Sequence, residues 1–223
     1  MRGDKLLKIT LEIVQNLVYN QFPQWNHLTI KPVEKSGHDN RTFHLGNDMT
    51  VRLPSGEAYA AQVEKELKWL PFLAQHISIP ISTPIAKGGP DQNYPYVWSV
   101  NKYLPGDTLS YSNIDNLIQF ADELAMFLKE LQSIDTKDAP IAGKHNFYRG
   151  GDLSVYNQET KEALSQLSGY LPTKTLKYVW EHALDSKWDK KDVWIHGDVA
   201  PGNILVANGK LCGVIDFGVM GVG

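Results

Sequence analysis

Residues 194–203 read WIHGDVAPGN, and the chain resumes as ILVANGKLCGVIDFG. Between two apolar runs stand a histidine, two glycines, a proline and two oxygen-bearing side chains. Asp198 and Asn203 lie five positions apart, and Asp216 precedes Phe217 and Gly218. Asp and Asn are ordinary turn residues, so one reading is a simple loop. The chemical reading begins at Asn208-Gly209, a strong hairpin signal between ILVA and KLCGVI. A hairpin there folds residues 203 and 216 back to one open end, where Asp198, Asn203 and Asp216 can converge. Their oxygens suit Mg2+, a hard cation usually held by one or two carboxylates together with substrate phosphates. A carboxylate left off such a cation can take a proton from a hydroxyl nucleophile. His196 reads as a structural histidine bonding nearby backbone. With Asp198 and Asp216 it can also be recast as part of a metallohydrolase site, against which the lack of further clustered histidines counts.

The elements that must carry this unit follow from periodicity. Residues 5–20 put Leu6, Ile9, Ile13 and Leu17 on one stripe, widened by Leu7, Leu11, Val14 and Val18, and predict an amphipathic helix. LTIKPVE (28–34) predicts a strand, and TFHL and MTVRL around Gly46-Asn47-Asp48 predict a hairpin. Val63, Leu67, Leu70 and Ala74 predict a helix over 58–75, after which Pro80 and Pro84 force extended chain. YPYVWSVNKYLPGD (94–107) predicts a last strand running into a Pro-Gly connector. Beyond it, Ile114, Leu117, Ala121, Leu124, Leu128 and Leu131 predict a helix over 113–132, with weaker helical patterns at 157–168 and 173–185. Strands early and helices late predict an α+β protein, with a sheet-rich lobe over 1–104 and a helical lobe over 105–223. Cys212, in the second strand of the 204–215 hairpin, is expected in the core.

With 223 residues, 42% of them apolar, the chain can bury a substantial core as one large domain or two small lobes. Its 22 Lys and Arg against 25 Asp and Glu give a net charge of -3 without a basic block, so nucleic acid is not an expected partner. No window approaches the roughly 20 apolar residues of a membrane span, and no membrane partner is expected. The single cysteine excludes an internal disulfide, and MRGDKLLKIT lacks the apolar stretch of a signal peptide, which together predict a cytoplasmic location. The sequence sets no oligomeric state. Gly-x-Ser-x-Gly, Cys-x-x-Cys, His-Glu-x-x-His, Walker A and Gly-x-Gly-x-x-Gly are all absent.

HGDVAPGNILV followed by GVIDFG resembles the aminoglycoside phosphotransferase family, kinase-like enzymes that phosphorylate hydroxyls of small molecules. The likeness runs along the chain. GHDNRTFHLGNDMTVRLP resembles that family's first hairpin over the nucleotide, QVEKELKWLPFLA its regulatory-type helix, NKYLPGDTL its interlobe hinge, and NFYRGGDL a stretch of bacterial members. The resemblance implies a bilobal protein-kinase-like fold, ATP or GTP as donor, Mg2+, and a small-molecule hydroxyl as acceptor. Asp198 then is the catalytic base, His196 supports its loop, and Asn203 and Asp216 bind Mg2+. Glu66 matches the helix glutamate that pairs with a phosphate-binding strand lysine. Arg52 stands at that lysine's position, and an arginine can contact phosphate in bidentate fashion. Asp39 and Asn40 in the first hairpin, and Asn101 and Tyr103 at the hinge, are implied nucleotide contacts, while Gly37 to Asn40 also reads as an ordinary turn. Arg149, Gly150 and Gly151 read equally as an active-site loop or an interhelix connection. Members continue past DFG through several more helices, whereas this chain ends at VMGVG. The expectation is a fragment or a truncated relative, with a catalytically silent nucleotide binder as the alternative.

Overall fold

The computed structural model describes residues 7–34, 37 and 39–223. The Thr10 hydroxyl accepts the Ile13 amide at 3.3 Å and starts helix α1, Leu11–Gln21. The helix predicted over 5–20 therefore begins later: Thr10 caps it, and the Leu7 amide is taken by the Ser55 carbonyl at 2.8 Å. Leu6 lies outside the described residues. Val14, Leu17 and Val18 form the buried side of α1.

Strands β1 (Ile30–Pro32), β2 (Asn40–Leu45) and β3 (Met49–Pro54) precede helix α2 (Glu57–Leu73), and β4 (Pro84–Gly88) and β5 (Trp98–Lys102) follow it. They form one antiparallel sheet in the order β1-β2-β3-β5-β4. The strand predicted at 28–34 is shorter, Ile30–Pro32, although the Val33 amide still reaches the Thr42 carbonyl at 3.3 Å. Conversely, the extended chain predicted after Pro80 includes an edge strand, β4, where Pro84 is tolerated at the first position.

Residues opposite one another on paired strands share a face. Arg52 lies opposite Thr42 and Ser99, and Thr50 opposite His44 and Asn101, so one face of the sheet is polar. The alternate residues Phe43, Leu45, Val51, Leu53 and Val100 are buried with α1 in a first hydrophobic core.

The second part comprises β6 (Asp107–Thr108), α3 (Leu117–Ser133), α4 (Asn157–Gln166), α5 (Thr173–Asp185), β7 (Trp194–Ile195), β8 (Ile204–Ala207), β9 (Lys210–Val214) and β10 (Gly221–Val222). Helix α3 starts at 117 rather than 113 because Asn116 caps it, its Oδ1 accepting the Ile118 and Gln119 amides. Phe120, Phe127, Leu131, Trp194, Ile204 and Phe217 belong to a second core. Leu70 and Leu73 of α2, and Ile81, lie earlier than residue 104 yet belong to that core too.

The hairpin β8–β9 turns at Asn208 and Gly209, whose φ values of 51° and 74° are the left-handed pair a two-residue turn requires. Its register skips Cys212, since Leu205 pairs with Gly213 and Val206 with Leu211. Cys212 is thus the extra residue of a bulge and not core. It is half-buried, with Sγ 3.5 Å from the Pro105 carbonyl. That carbonyl belongs to the connector, which lies on the hairpin through β6–β8 pairing. Gly106 permits the approach, because a Cβ there would stand 2.7 Å from Cys212 Sγ. Among the described residues no helix is long and apolar enough to cross a membrane.

Candidate active site

Local sequence shapes the 196–198 loop. Gly197 has φ +83°, and a Cβ on it would stand 2.4 Å from the Val219 carbonyl oxygen, so no other residue fits. His196 is buried, with Nε2 3.0 Å from the Ile215 carbonyl and Nδ1 accepting the Asp198 amide at 3.1 Å. An Nδ1 that accepts leaves the proton on Nε2, which donates to Ile215. Burial holds the His196 pKa below its ordinary value, against the opposing pull of the Ile215 carbonyl and of Asp216 and Asp198. The neutral ring, 4.3 Å from that of Phe217, therefore fastens Asp198 to the end of the hairpin.

The Asp198 carboxylate has partners on both oxygens: Arg149 reaches Oδ1 at 3.1 Å, and Asn203 Nδ2 donates to Oδ2 at 2.9 Å. Arg149 also donates to the Gly197 carbonyl. Asn203 Nδ2 binds the Asp198 carbonyl as well, at 3.0 Å, which leaves Asn203 Oδ1 with no hydrogen bond among the described residues. Asp216 adopts φ +63°, a strained conformation for a residue with a side chain. Its Oδ1 accepts from Arg52 at 2.8 Å.

Arg52 bridges two carboxylates. One terminal nitrogen lies 3.0 and 3.2 Å from the Glu66 oxygens, and the other takes Asp216. Burial penalises the cation, but Glu66 and Asp216 outweigh it and raise the Arg52 pKa. Burial pushes the Glu66 carboxyl upward, and Arg52 opposes that shift. A planar guanidinium can serve both acceptors at once, which an ammonium at this position cannot do with the same geometry.

These groups surround a cleft of about 580 Å³ between the polar face of the sheet and the open end of the hairpin. Asp39, Asn40, Arg52, Tyr103, Asp198, Asn203 and Asp216 all line it. Leu104, Leu205 and Ile215 give it an apolar floor near the connector. Glu66 and His196 stand behind the lining, each holding a residue that belongs to it. Asn101 is on the cleft-facing side of the sheet but is 1% exposed and does not line the cleft. Neither atom of its amide has a hydrogen-bond partner among the described residues. Thr42 and Thr50 line the cleft and were not anticipated, although the period-2 alternation about Arg52 carries that signal. The contact of Arg149 with Asp198, and that of Lys65 with the second lobe, have no local signal at all.

The sequence profile of the phosphotransferase enzyme family (APH) matches residues 29–223. The chain belongs to this family. Its fold is the family's bilobal, kinase-like α+β fold: the GDP complex of a variant of aminoglycoside 2'-phosphotransferase-IIIa superposes with a TM-score of 0.75 at 19% identity, over 96% of this chain and 74% of that one. The streptomycin-ATP ternary complex of APH(2")-IIa gives 0.61 at 22% identity, over 98% and 73%. Macrolide 2'-phosphotransferase MphH from Brachybacterium faecium, as the apoenzyme, gives 0.61 at 19% identity, over 96% and 73%. Among curated proteins, no significant match was found.

Proposed function

We propose that this chain carries the nucleotide site and catalytic loop of a phosphotransferase that moves the γ-phosphate of ATP or GTP to a hydroxyl of a small molecule. The observation that carries the reading is the meeting of Asp198, Asn203, Asp216 and Arg52 at one end of one cleft. The apolar floor by Tyr103 and Leu104 suits a nucleotide base, and Arg52 faces the position of the phosphates. Asp198 takes the proton of the acceptor hydroxyl, its carboxylate oriented by Arg149 and Asn203. The gain is chiefly positional, since holding the hydroxyl in line with the phosphate replaces a bimolecular encounter.

The donor set fits Mg2+: the free Oδ1 of Asn203 and the second oxygen of Asp216 are hard ligands from one loop end. Among the described residues no cluster of three or more His, Cys, Asp or Glu is placed to hold a metal, so phosphate oxygens would complete the shell. Bound there, the cation would offset charge on the phosphate oxygens. Gentamicin and streptomycin complexes among the similar structures, and the macrolide enzymes, make aminoglycosides and macrolides the first acceptors to try. The cytoplasm, where nucleoside triphosphates are abundant, is the fitting location.

The test is phosphate transfer from ATP and from GTP to a panel of both acceptor classes, with wild type and Asp198→Asn. The expected result is Mg2+-dependent transfer, with Asp198→Asn slower by about 10² to 10⁴-fold and nucleotide affinity retained. Equal turnover by the two proteins removes Asp198 from the chemistry.

A further inference from the structure

Lys65 precedes Glu66 on α2, and its side chain leaves the helix toward the second lobe. Its Nζ stands 2.9 Å from His145 Nδ1, 2.9 Å from the Met220 carbonyl and 3.3 Å from the His145 carbonyl. His145 Nε2 lies 2.8 Å from the Ile141 carbonyl, and an imidazole donating there keeps Nδ1 as an acceptor. An ammonium with three donors thus meets three acceptors.

Both anchors adjoin the candidate site. Met220 lies four residues after Asp216, and His145 opens the turn that ends in Arg149, the partner of Asp198. That turn is a built structure. Asn146, fully buried, accepts the Gly143 amide at 2.9 Å and donates to the Arg149 carbonyl at 2.8 Å. Phe147 and Tyr148 hold φ values of 54° and 57°, which side-chain-bearing residues keep only where their surroundings impose them.

Glu66 can present Arg52 only as accurately as α2 itself is held. Packing against β3, β4 and β5 fixes α2 relative to its own sheet. Asp216, the other carboxylate on Arg52, belongs to the second lobe; Leu70 and Leu73 anchor the far end of α2 there, so the pair is in register only when the turn of α2 that bears Lys65 and Glu66 is fixed to that lobe too. We propose that Lys65 is a positioning residue, an ammonium latch that holds α2 against the 143–149 turn and the segment after Asp216, so that Glu66 sets Arg52 for nucleotide phosphates. The last clause rests on the reading of Arg52 as the phosphate-facing cation. Hydrogen bonds from a charged donor are roughly twice as strong as neutral ones, which makes one side chain sufficient for the purpose. Burial lowers the Lys65 pKa to about 8, with Glu66 opposing. The titratable groups facing it are Glu66 on its own helix and His145 across the lobe boundary. A deprotonated amine has two donors for three acceptors, and the latch weakens.

The experiment compares wild type, Lys65→Met and Lys65→Arg by amide hydrogen exchange without nucleotide, and by titration with Mg2+-ATP, Mg2+-GTP, adenosine and guanosine. In Lys65→Met, exchange should quicken at Tyr148, Met220 and Val222, whose amides are bonded to the Gly143, Phe217 and Pro140 carbonyls. Triphosphate binding should weaken about tenfold while nucleoside binding holds, because only the phosphate end is displaced. Wild-type triphosphate affinity should fall between about pH 7 and about pH 9, and the fall should vanish in Lys65→Met and in the permanently charged Lys65→Arg. Unchanged exchange in Lys65→Met overturns the latch. Equal losses for nucleoside and triphosphate overturn its positioning role. Faster exchange in a protein whose wild type binds no triphosphate overturns the phosphate reading of Arg52 and supports the latch as an interlobe tie.

Discussion

Arg52 ties the lining of the cleft to the stability of the fold. It is only 11% exposed, and its guanidinium contacts two carboxylates from different elements. Removing it takes away the hydrogen-bonded counter-charge of buried Glu66 and leaves only the weaker pull of Lys65, and breaking a buried pair typically costs about 3–5 kcal/mol. Arg52→Ala should therefore lower the melting temperature and abolish triphosphate binding together. Arg52→Lys should recover most of the stability through Glu66 but only part of the binding, since one ammonium cannot keep the fork to Glu66 and still reach Asp216. Melts and triphosphate titration of the two variants check this, and full recovery of binding by lysine would mean that charge alone matters there. His196 gives a prediction about pH. Its folded pKa is lowered by burial, so the unfolded chain binds a proton more readily than the folded one. Its contribution to stability is therefore fully present above the unfolded value near 6.5 and is lost as pH falls from there toward the folded value. His196→Gln should be less stable than wild type near neutrality, and its melting temperature should fall less on acidification over that window. A steeper fall in the variant would place the titrating group elsewhere.

At the scale of elements, the legible parts were those whose signals are local. Asn208-Gly209 marks the hairpin because both residues accept left-handed geometry, and the five-residue interval from Asp198 to Asn203 is read directly off the chain. Two-residue strands such as β6, β7 and β10 were not legible, because period-2 alternation needs more residues to register. Lys65 escaped for another reason, and for the same reason Arg149 could be read only as an active-site loop or a connection: their contacts span 155 residues to Met220 and 49 to Asp198, so only the folded chain brings them together. The start of α3 was misplaced because hydrophobic spacing continues upstream to Ile114, while capping decides where the helix begins. Asn116 accepts two main-chain amides there, at 3.0 and 3.1 Å. Asn116→Ala should cost about 1 kcal/mol of stability, measured by denaturant titration, with nucleotide binding unaltered because the cap lies outside the cleft. Asn116→Asp should recover most of the loss, whereas equal destabilisation by both substitutions would assign the effect to something other than the cap.

The whole molecule has two cores, and α2 belongs to the economy of both. The helix packs against three strands of the sheet, while Leu70 and Leu73 at its far end are buried among Phe120, Phe127 and Trp194 in the second core. A helix shared in this way cannot unfold with one lobe and remain packed in the other. Arg52 to Asp216 and Lys65 to His145 and Met220 reinforce the same junction. The two lobes should therefore melt as one cooperative unit, even though each has its own apolar interior. Leu70→Ala is the informative substitution, because Leu70 is 1% exposed in the second core yet lies on a helix of the first lobe. Loss of its side chain should destabilise the protein by about 2–5 kcal/mol and shift the whole calorimetric transition downward without splitting it. Leu45→Ala, in the first core at 0% exposure, should do the same. Triphosphate binding should fall in Leu70→Ala at temperatures well below its transition, because α2 carries Glu66, whereas Leu45→Ala should bind normally there. Two resolved transitions in either variant, each matching one core, would show that the lobes fold independently and that α2 is only adjacent to the second core.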